Sequence, residues 1–177
     1  YKKEADYGES GEKGVSGKEA DDRYSPVDVL GQIGAYVAFH GDVVDQSGSM
    51  SPAWDRIGVV CYATRKSFMD MQTRKDFQEK HVHKEAGMLY TIVMGTTPLA
   101  PHGAIERANF VEFVLTAGPQ SGSPDSRTAR LGVEGTIMGD GRRWGELTMR
   151  WVDEIPAVAP TERGGDVVRV VARISID

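Results

Sequence analysis

The spacing of apolar positions changes character about halfway along the chain. Residues 1–15 show no apolar period; they are rich in Gly, Glu and Lys and predict a loop. Ser16 and Glu19 then have the spacing of a capping box, in which the Ser side chain accepts from a first-turn N–H and the Glu reaches back. The predicted helix runs from about Lys18 toward Ile33. Pro26 lacks an N–H to donate, so it must kink this helix or split it in two. Gly31 and Gly34 end it. Tyr36–Val44 predicts a strand, Gln46–Ala53 a hairpin loop and Trp54–Ala63 the return strand. Thr64 is placed to cap a further helix, with Phe68 and Met71 on its inner side. Thr73 and Asp76 predict a restart of that helix, and Gly87 its stop. Leu89–Gly95 predicts another strand and Thr97–Pro101 a linker.

Past that linker the strand period dominates. Asn109–Thr116 alternates, and Gly118–Arg130 has no helical period and predicts a long loop. Leu131–Met138 and Arg143–Val152 flank Gly139-Asp-Gly-Arg142, an Asp-Gly turn that predicts a tight hairpin because both turn residues tolerate positive φ. Val167–Ile176 predicts the last strand. Val168, Val170, Ala172, Ile174 and Ile176 fall on one of its faces, Arg169, Arg173 and Ser175 on the other. Glu146, Thr148 and Arg150 give the preceding strand a polar face, which predicts a sheet face open to water.

Gly41–Val44 with Trp54–Tyr62 is echoed by Gly135–Met138 with Trp144–Val152: a strand, a turn, then a strand opened by Trp. Two readings follow. The echo is a degenerate repeat whose paired units share a buried sheet face, or it is the likeness of any two β-hairpins. The organisation predicted is a unit over 1–97, a linker over 98–108 and a β-rich second unit over 109–177.

Composition narrows the function classes. The chain has 177 residues, 40% hydrophobic and 27% charged, enough for a packed core. Net charge is -5, and the pI near 5.4 argues against nucleic acid, whose phosphates need clustered Lys and Arg. No apolar run approaches the ~20 residues of a membrane helix, so no membrane partner is expected. The polar start predicts no signal peptide, and the absence of an initial Met predicts missing upstream sequence. The single cysteine, Cys61, excludes an internal disulfide and a Cys-based zinc site, and a cytoplasmic setting is expected.

The first half resembles the ferredoxin-like dimeric α+β barrel proteins, and within them an uncharacterised domain-of-unknown-function family. The matching residues are the polar loop Lys2–Gly17, Tyr24, Gly41-Asp42-Val43, Trp54-Asp-Arg-Ile-x-x-Val-x-Tyr62 running into Thr64-Arg-Lys-x-Phe68, Phe77-Gln78, and His83-Lys-Glu-Ala-Gly87. The likeness covers about residues 1–97. The chain departs from the pattern in lacking a first strand before Tyr1. The resemblance implies an α+β fold of antiparallel sheets, helices on one face, and a pocket where the other face meets a second sheet. That sheet would come from the second half of this chain or from another subunit. Relatives of this fold include enzymes and proteins without known activity, so the fold alone does not give the function.

Candidate chemistry is sparse. On a helix His81 and His83 diverge, and His81 pairs with Glu85 one turn on. His83 is the first candidate for proton transfer, against the plain reading of a cation favoured at a helix C-terminus. His40, ending a strand before Gly41, is the second, against a surface strand-end histidine. In the barrel reading Phe39, Ile57, Val59 and Cys61 line an apolar pocket, with Leu147, Met149 and Trp151 as counterparts. Asp42, Asp45 and Asp55 lack calcium-loop spacing and read as solvated loop carboxylates. No phosphate-binding glycine loop and no nucleophile elbow is present. No metal, haem or other cofactor is expected. Two functions compete: a small-molecule-binding barrel, extending to a cofactor-free enzyme acting on a small apolar substrate, and a non-catalytic assembly or interaction subunit. Either admits a homodimer or larger complex through the sheet face.

Overall fold

The computed structural model describes residues 1–48, 53–100, 108–139, 141–157 and 167–175. The elements are α1 (Gly17–Arg23), α2 (Val27–Gln32), β1 (Tyr36–Gly48), β2 (Arg56–Cys61), α3 (Arg65–Gln72), α4 (Lys75–Gly87), β3 (Val93–Pro98), β4 (Phe110–Thr116), β5 (Thr128–Met138), β6 (Glu146–Val152) and β7 (Val167–Ile174). The fold is α+β. Its strands form one seven-stranded antiparallel sheet in the order β2-β1-β7-β4-β6-β5-β3. Two sheets face to face were expected; the two Trp-preceded strands, β2 and β6, instead belong to the same sheet, with β1, β7 and β4 between them. The reason lies in β7, which ladders to β1 on one edge and β4 on the other. No helix among the described residues is long and apolar enough to cross a membrane.

The chain divides into two compact units, Tyr1–Ala38 with Gly58–Thr91, and Phe39–Ile57 with Ile92–Asp177. In the first unit the Ser16, Pro26 and Thr64 signals act as read. Ser16 Oγ accepts from Glu19 N at 3.1 Å. Pro26 splits the predicted helix into α1 and α2 and stands as the N-cap of the second. Gly34, with φ +70°, ends α2, while Gly31 is an ordinary helical residue. Thr64 caps α3 by accepting from Ser67 N at 3.0 Å. Val29, Leu30, Ala35, Met71 and Phe77 make the main apolar cluster, with Tyr24, Tyr62 and Phe68 packed on it.

Two readings need correction. The N-cap of α4 is Arg74, not Thr73, and Gly87 is the last helical residue rather than a left-handed stop. Gly87 is required by a close approach. A Cβ there would run into the carbonyl oxygen of Gly17, and the same holds in reverse for Gly17 against Gly87. The two glycines let α1 cross α4 at backbone distance. Lys2 N donates to Gly87 O at 2.8 Å and Gly17 N to Lys2 O at 3.1 Å, so the N-terminal segment is stitched into this crossing.

The second unit is organised by the two faces of β4 and β7. One face is apolar: Val111, Phe113 and Leu115 stand opposite Trp151, Met149 and Leu147 on β6 and Ala172, Val170 and Val168 on β7. The predicted hairpin partners, β5 and β6, do pair antiparallel, while Asp140 of the expected Asp-Gly turn lies outside the described residues. Cα pairing of β5 with β6 ends at Gly132 and Glu146, and the remainder of β5 pairs with β3 alone. Strand β3 begins at Val93, four residues later than predicted, and includes Thr97 and Pro98 of the expected linker. Most of the proposed 98–108 linker, like Ile176 of the predicted last strand, lies outside the described residues.

Candidate functional site

The two histidines of α4 leave the helix in different directions, as its period requires. His81 stacks on Phe77 with ring centroids 5.2 Å apart and lies 3.8 Å from Glu85. Burial pushes its pKa below the ordinary histidine value, with Lys84 nearby adding to the effect. His83 faces the N-terminal segment. Its Nδ1 lies 2.8 Å from the hydroxyl of Tyr7, and the rings meet edge to face at 5.7 Å. Beside it Arg23 holds the carboxyl of Glu12 below the usual range. If Tyr7 donates, Nδ1 is the acceptor and Nε2 carries the proton, so the pair sets a tautomer. His40 is half-buried on β1, and its carbonyl accepts from Ser175 N at 3.0 Å.

The residues predicted to line a pocket distribute between the two units. Val59 and Cys61 belong to the first; Phe39, Ile57, Met149 and Trp151 belong to the second. Phe39 and Met149 are core side chains, 4% and 5% exposed, gathered around Phe113. Phe39 meets the Phe113 ring at 5.0 Å, and Met149 stands opposite Phe113 across the β4–β6 ladder. Ile57, Val59 and Cys61 are half-buried. Cys61 neighbours the Tyr36 hydroxyl, which it holds above the ordinary tyrosine pKa. No cluster of three or more potential metal ligands occurs among the described residues.

The other face of the second unit's sheet overturns the expectation of a face open to water. It carries a chain of charges with a buried centre, Arg169 and Glu112, and partly exposed ends, Asp45 and Arg150. Arg169, fully buried, donates through Nε to Glu112 at 2.6 Å, through Nη1 to Asp45 at 2.7 Å and through Nη2 to the Pro156 carbonyl at 2.7 Å. Glu112, 2% exposed, also accepts from Arg150 Nε at 2.7 Å, and Arg150 Nη2 makes a second close contact with it. The register explains the meeting. Glu112 lies opposite Arg150 on β6, while Arg169 on β7 is one diagonal away from both Glu112 and Asp45. Two carboxylates and two guanidiniums leave the chain of charges neutral, which is the condition for burying them. Burial works to lower the pKa of Arg169, but the bonds from Asp45 and Glu112 outweigh it and hold it above the ordinary arginine value.

A second pair lies beside the first. Arg130 Nη2 donates to Glu146 at 2.8 Å, and the same guanidinium holds the carbonyls of Gln120 and Gly122. Arg130 keeps the Glu146 carboxyl below the usual range against the effect of burial. Of the loop predicted over Gly118–Arg130, the last three residues open β5, and Gln120 and Gly122 are thereby drawn over the polar face. Asp45 is a strand residue inside this network, and Asp42 pairs with Arg56 at 2.9 Å. Both stand on strand β1 and not in the loop read from sequence, with side chains that remain partly exposed. The signal that would have found the network is a lone charge inside each apolar strand run, Val-Val-Arg169-Val-Val and Phe-Val-Glu112-Phe-Val, with opposite signs.

No family model, curated protein or solved structure matches this chain.

Proposed function

We propose that the chain is a non-catalytic interaction module that joins a second copy of itself through the ribbon formed by β3 and the far end of β5. The observation that carries this is the ribbon's apolar tip: past Val133 β5 pairs only with β3, and there Ile137 and Met138 are 57% and 55% exposed. A two-stranded ribbon is marginal on its own in water. Ile137 is the extra residue of a register shift between Val93 and Met94 pairing, a feature that re-aims a side chain. Residues 135–139 carry no charge, so two such tips related by a two-fold axis oppose no like charges. A cytoplasmic setting fits the acidic composition and single cysteine. Sedimentation velocity over a range of protein concentrations tests the reading. The parent is expected to show a concentration-dependent dimer. The double variant Ile137→Lys, Met138→Lys is expected to stay monomeric with stability within about 0.5 kcal/mol, as surface changes usually are. A monomeric parent at every concentration, or an unaltered dimer in the variant, overturns it.

A second reading keeps the ferredoxin-like barrel likeness and makes the chain a cofactor-free enzyme or binder for a small apolar molecule, with His83 or His40 handling protons. The Tyr7–His83 contact favours His83, because a hydroxyl fixing one ring nitrogen frees the other for proton transfer. His83→Gln is expected to abolish pH-dependent binding or turnover of such a ligand while melting near the parent. Unchanged ligand behaviour leaves His83 as an anchor for the N-terminal segment.

A further inference from the structure

The first unit holds a group of functional side chains that neither reading uses. Phe77, His81 and Lys84 follow one face of α4, at successive turns. Tyr24, just past α1, meets Phe77 edge-on at 6.4 Å and His81 at 5.8 Å. The Lys84 ammonium position stands over the Tyr24 ring, 5.6 Å from its centroid. Two polar atoms in this aromatic nest lack hydrogen-bond partners among the described residues. His81 Nδ1 is buried without one. Lys84 Nζ meets neither a carboxylate nor a carbonyl within bonding distance; Asp21, the carboxylate that acts on it, takes the Tyr1 hydroxyl at 2.7 Å.

Other lysines are held differently. Lys18, Lys66 and Lys75 pair with Asp22, Asp70 and Glu79 on exposed helix faces. Lys84, half-buried, has only the face of a phenol ring, which does not replace the part of its water that burial removes. The result is a half-buried amine beside apolar rings, the setting in which lysine becomes a nucleophile.

We propose that Lys84 is a nucleophilic amine site that condenses reversibly with small aldehydes bearing an apolar ring. The neutral Nζ attacks the carbonyl carbon and the C–N bond forms as the carbonyl oxygen takes up a proton. The carbinolamine then loses that oxygen, with the two amine hydrogens, as water and leaves an imine. Burial lowers the proton affinity of Lys84 against the pull of Asp21. The other titratable groups placed around the amine are Tyr24 on α1's end and His81 and Glu85 on its own helix. The aldehyde's ring would lie against Tyr24 and His81.

The test uses the full chain, benzaldehyde as probe and sodium cyanoborohydride as reductant, which adds hydride to the imine carbon and fixes a benzyl group on nitrogen. Peptide mapping at neutral pH and limiting probe reads the label on each lysine. Lys84 is expected to label several-fold faster than Lys66 or Lys75, and the preference is expected to vanish in denaturant. Lys84→Arg is expected to remove the fast label while the others keep their rates. Labelling of Lys84 at or below the rate of Lys66 and Lys75 in the folded chain overturns the proposal, whether or not the variant folds.

Discussion

Replacing Arg169 by Ala is expected to cost about 3–5 kcal/mol of stability, because it strips the buried Glu112 carboxylate of the fully buried one of its two guanidinium partners. Glu112 is the group left behind. It sits 2% exposed between Arg169 and Arg150, and removal of Arg169 deletes its 2.6 Å bond while water has little access. Asp45 suffers less, because its side chain is 36% exposed and can be hydrated. The carbonyl of Pro156 loses its donor as well, so the segment around it is expected to loosen. At 177 residues each kcal/mol shifts the melting temperature by roughly 2–4 °C, so a drop of about 6–20 °C is expected in calorimetry. The paired variant Arg169→Met, Glu112→Leu separates two accounts. Apolar replacement of both partners of a buried ion pair is often neutral or stabilising, so the double variant should recover most of the loss. A single variant that melts with the parent would show that the face is hydrated and the network idle.

The same residues show how far the sequence could be read. Local signals were legible because they act within a few residues. The Ser16 and Thr64 caps, the break at Pro26 and the strands around Phe113 and Val170 are all where spacing places them. His81 and Glu85 are near each other because the helix period puts them one turn apart. What could not be read depends on partners distant in the chain. Arg169 and Asp45 are separated by 124 positions, and only the strand order brings them together. A polar face next to an apolar one reads as open to water, whereas ion pairs and a covering loop bury Glu112, Glu146 and Arg169 within it. The reach of β5 has a related cause: past the end of its pairing with β6 it continues as the partner of β3 on its other edge, which depends on strand order and not on local spacing. The Tyr7–His83 contact, 76 positions apart, was equally out of reach.

Gly87→Ala is the second change with a large expected effect, and its sign is not the one helix propensity gives. Gly87 lies inside α4 with no positive φ, where Ala is ordinarily better than Gly by roughly 0.5–1 kcal/mol. The added methyl would overlap the Gly17 carbonyl oxygen and press on Ala20 Cβ at 3.1 Å. The helices cannot simply move apart. Lys2 N is bonded to Gly87 O at 2.8 Å and Asp6 N to Ala86 O at 3.0 Å, so separation strains the stitched N-terminal segment. It would also open the cluster of Ala5, Val15, Ala20 and Ala86. Overpacking of this kind costs about 1–3 kcal/mol, and each backbone bond lost adds about 1 kcal/mol. The overlap therefore wins over propensity, and a net loss of about 1–3 kcal/mol is expected in urea titration. Gly31→Ala supplies the contrast. That glycine is also helical, but a Cβ there meets nothing within 4 Å. Propensity acts alone, and the variant is expected to gain about 0.5–1 kcal/mol. If both substitutions stabilise, α1 and α4 do not cross at backbone contact.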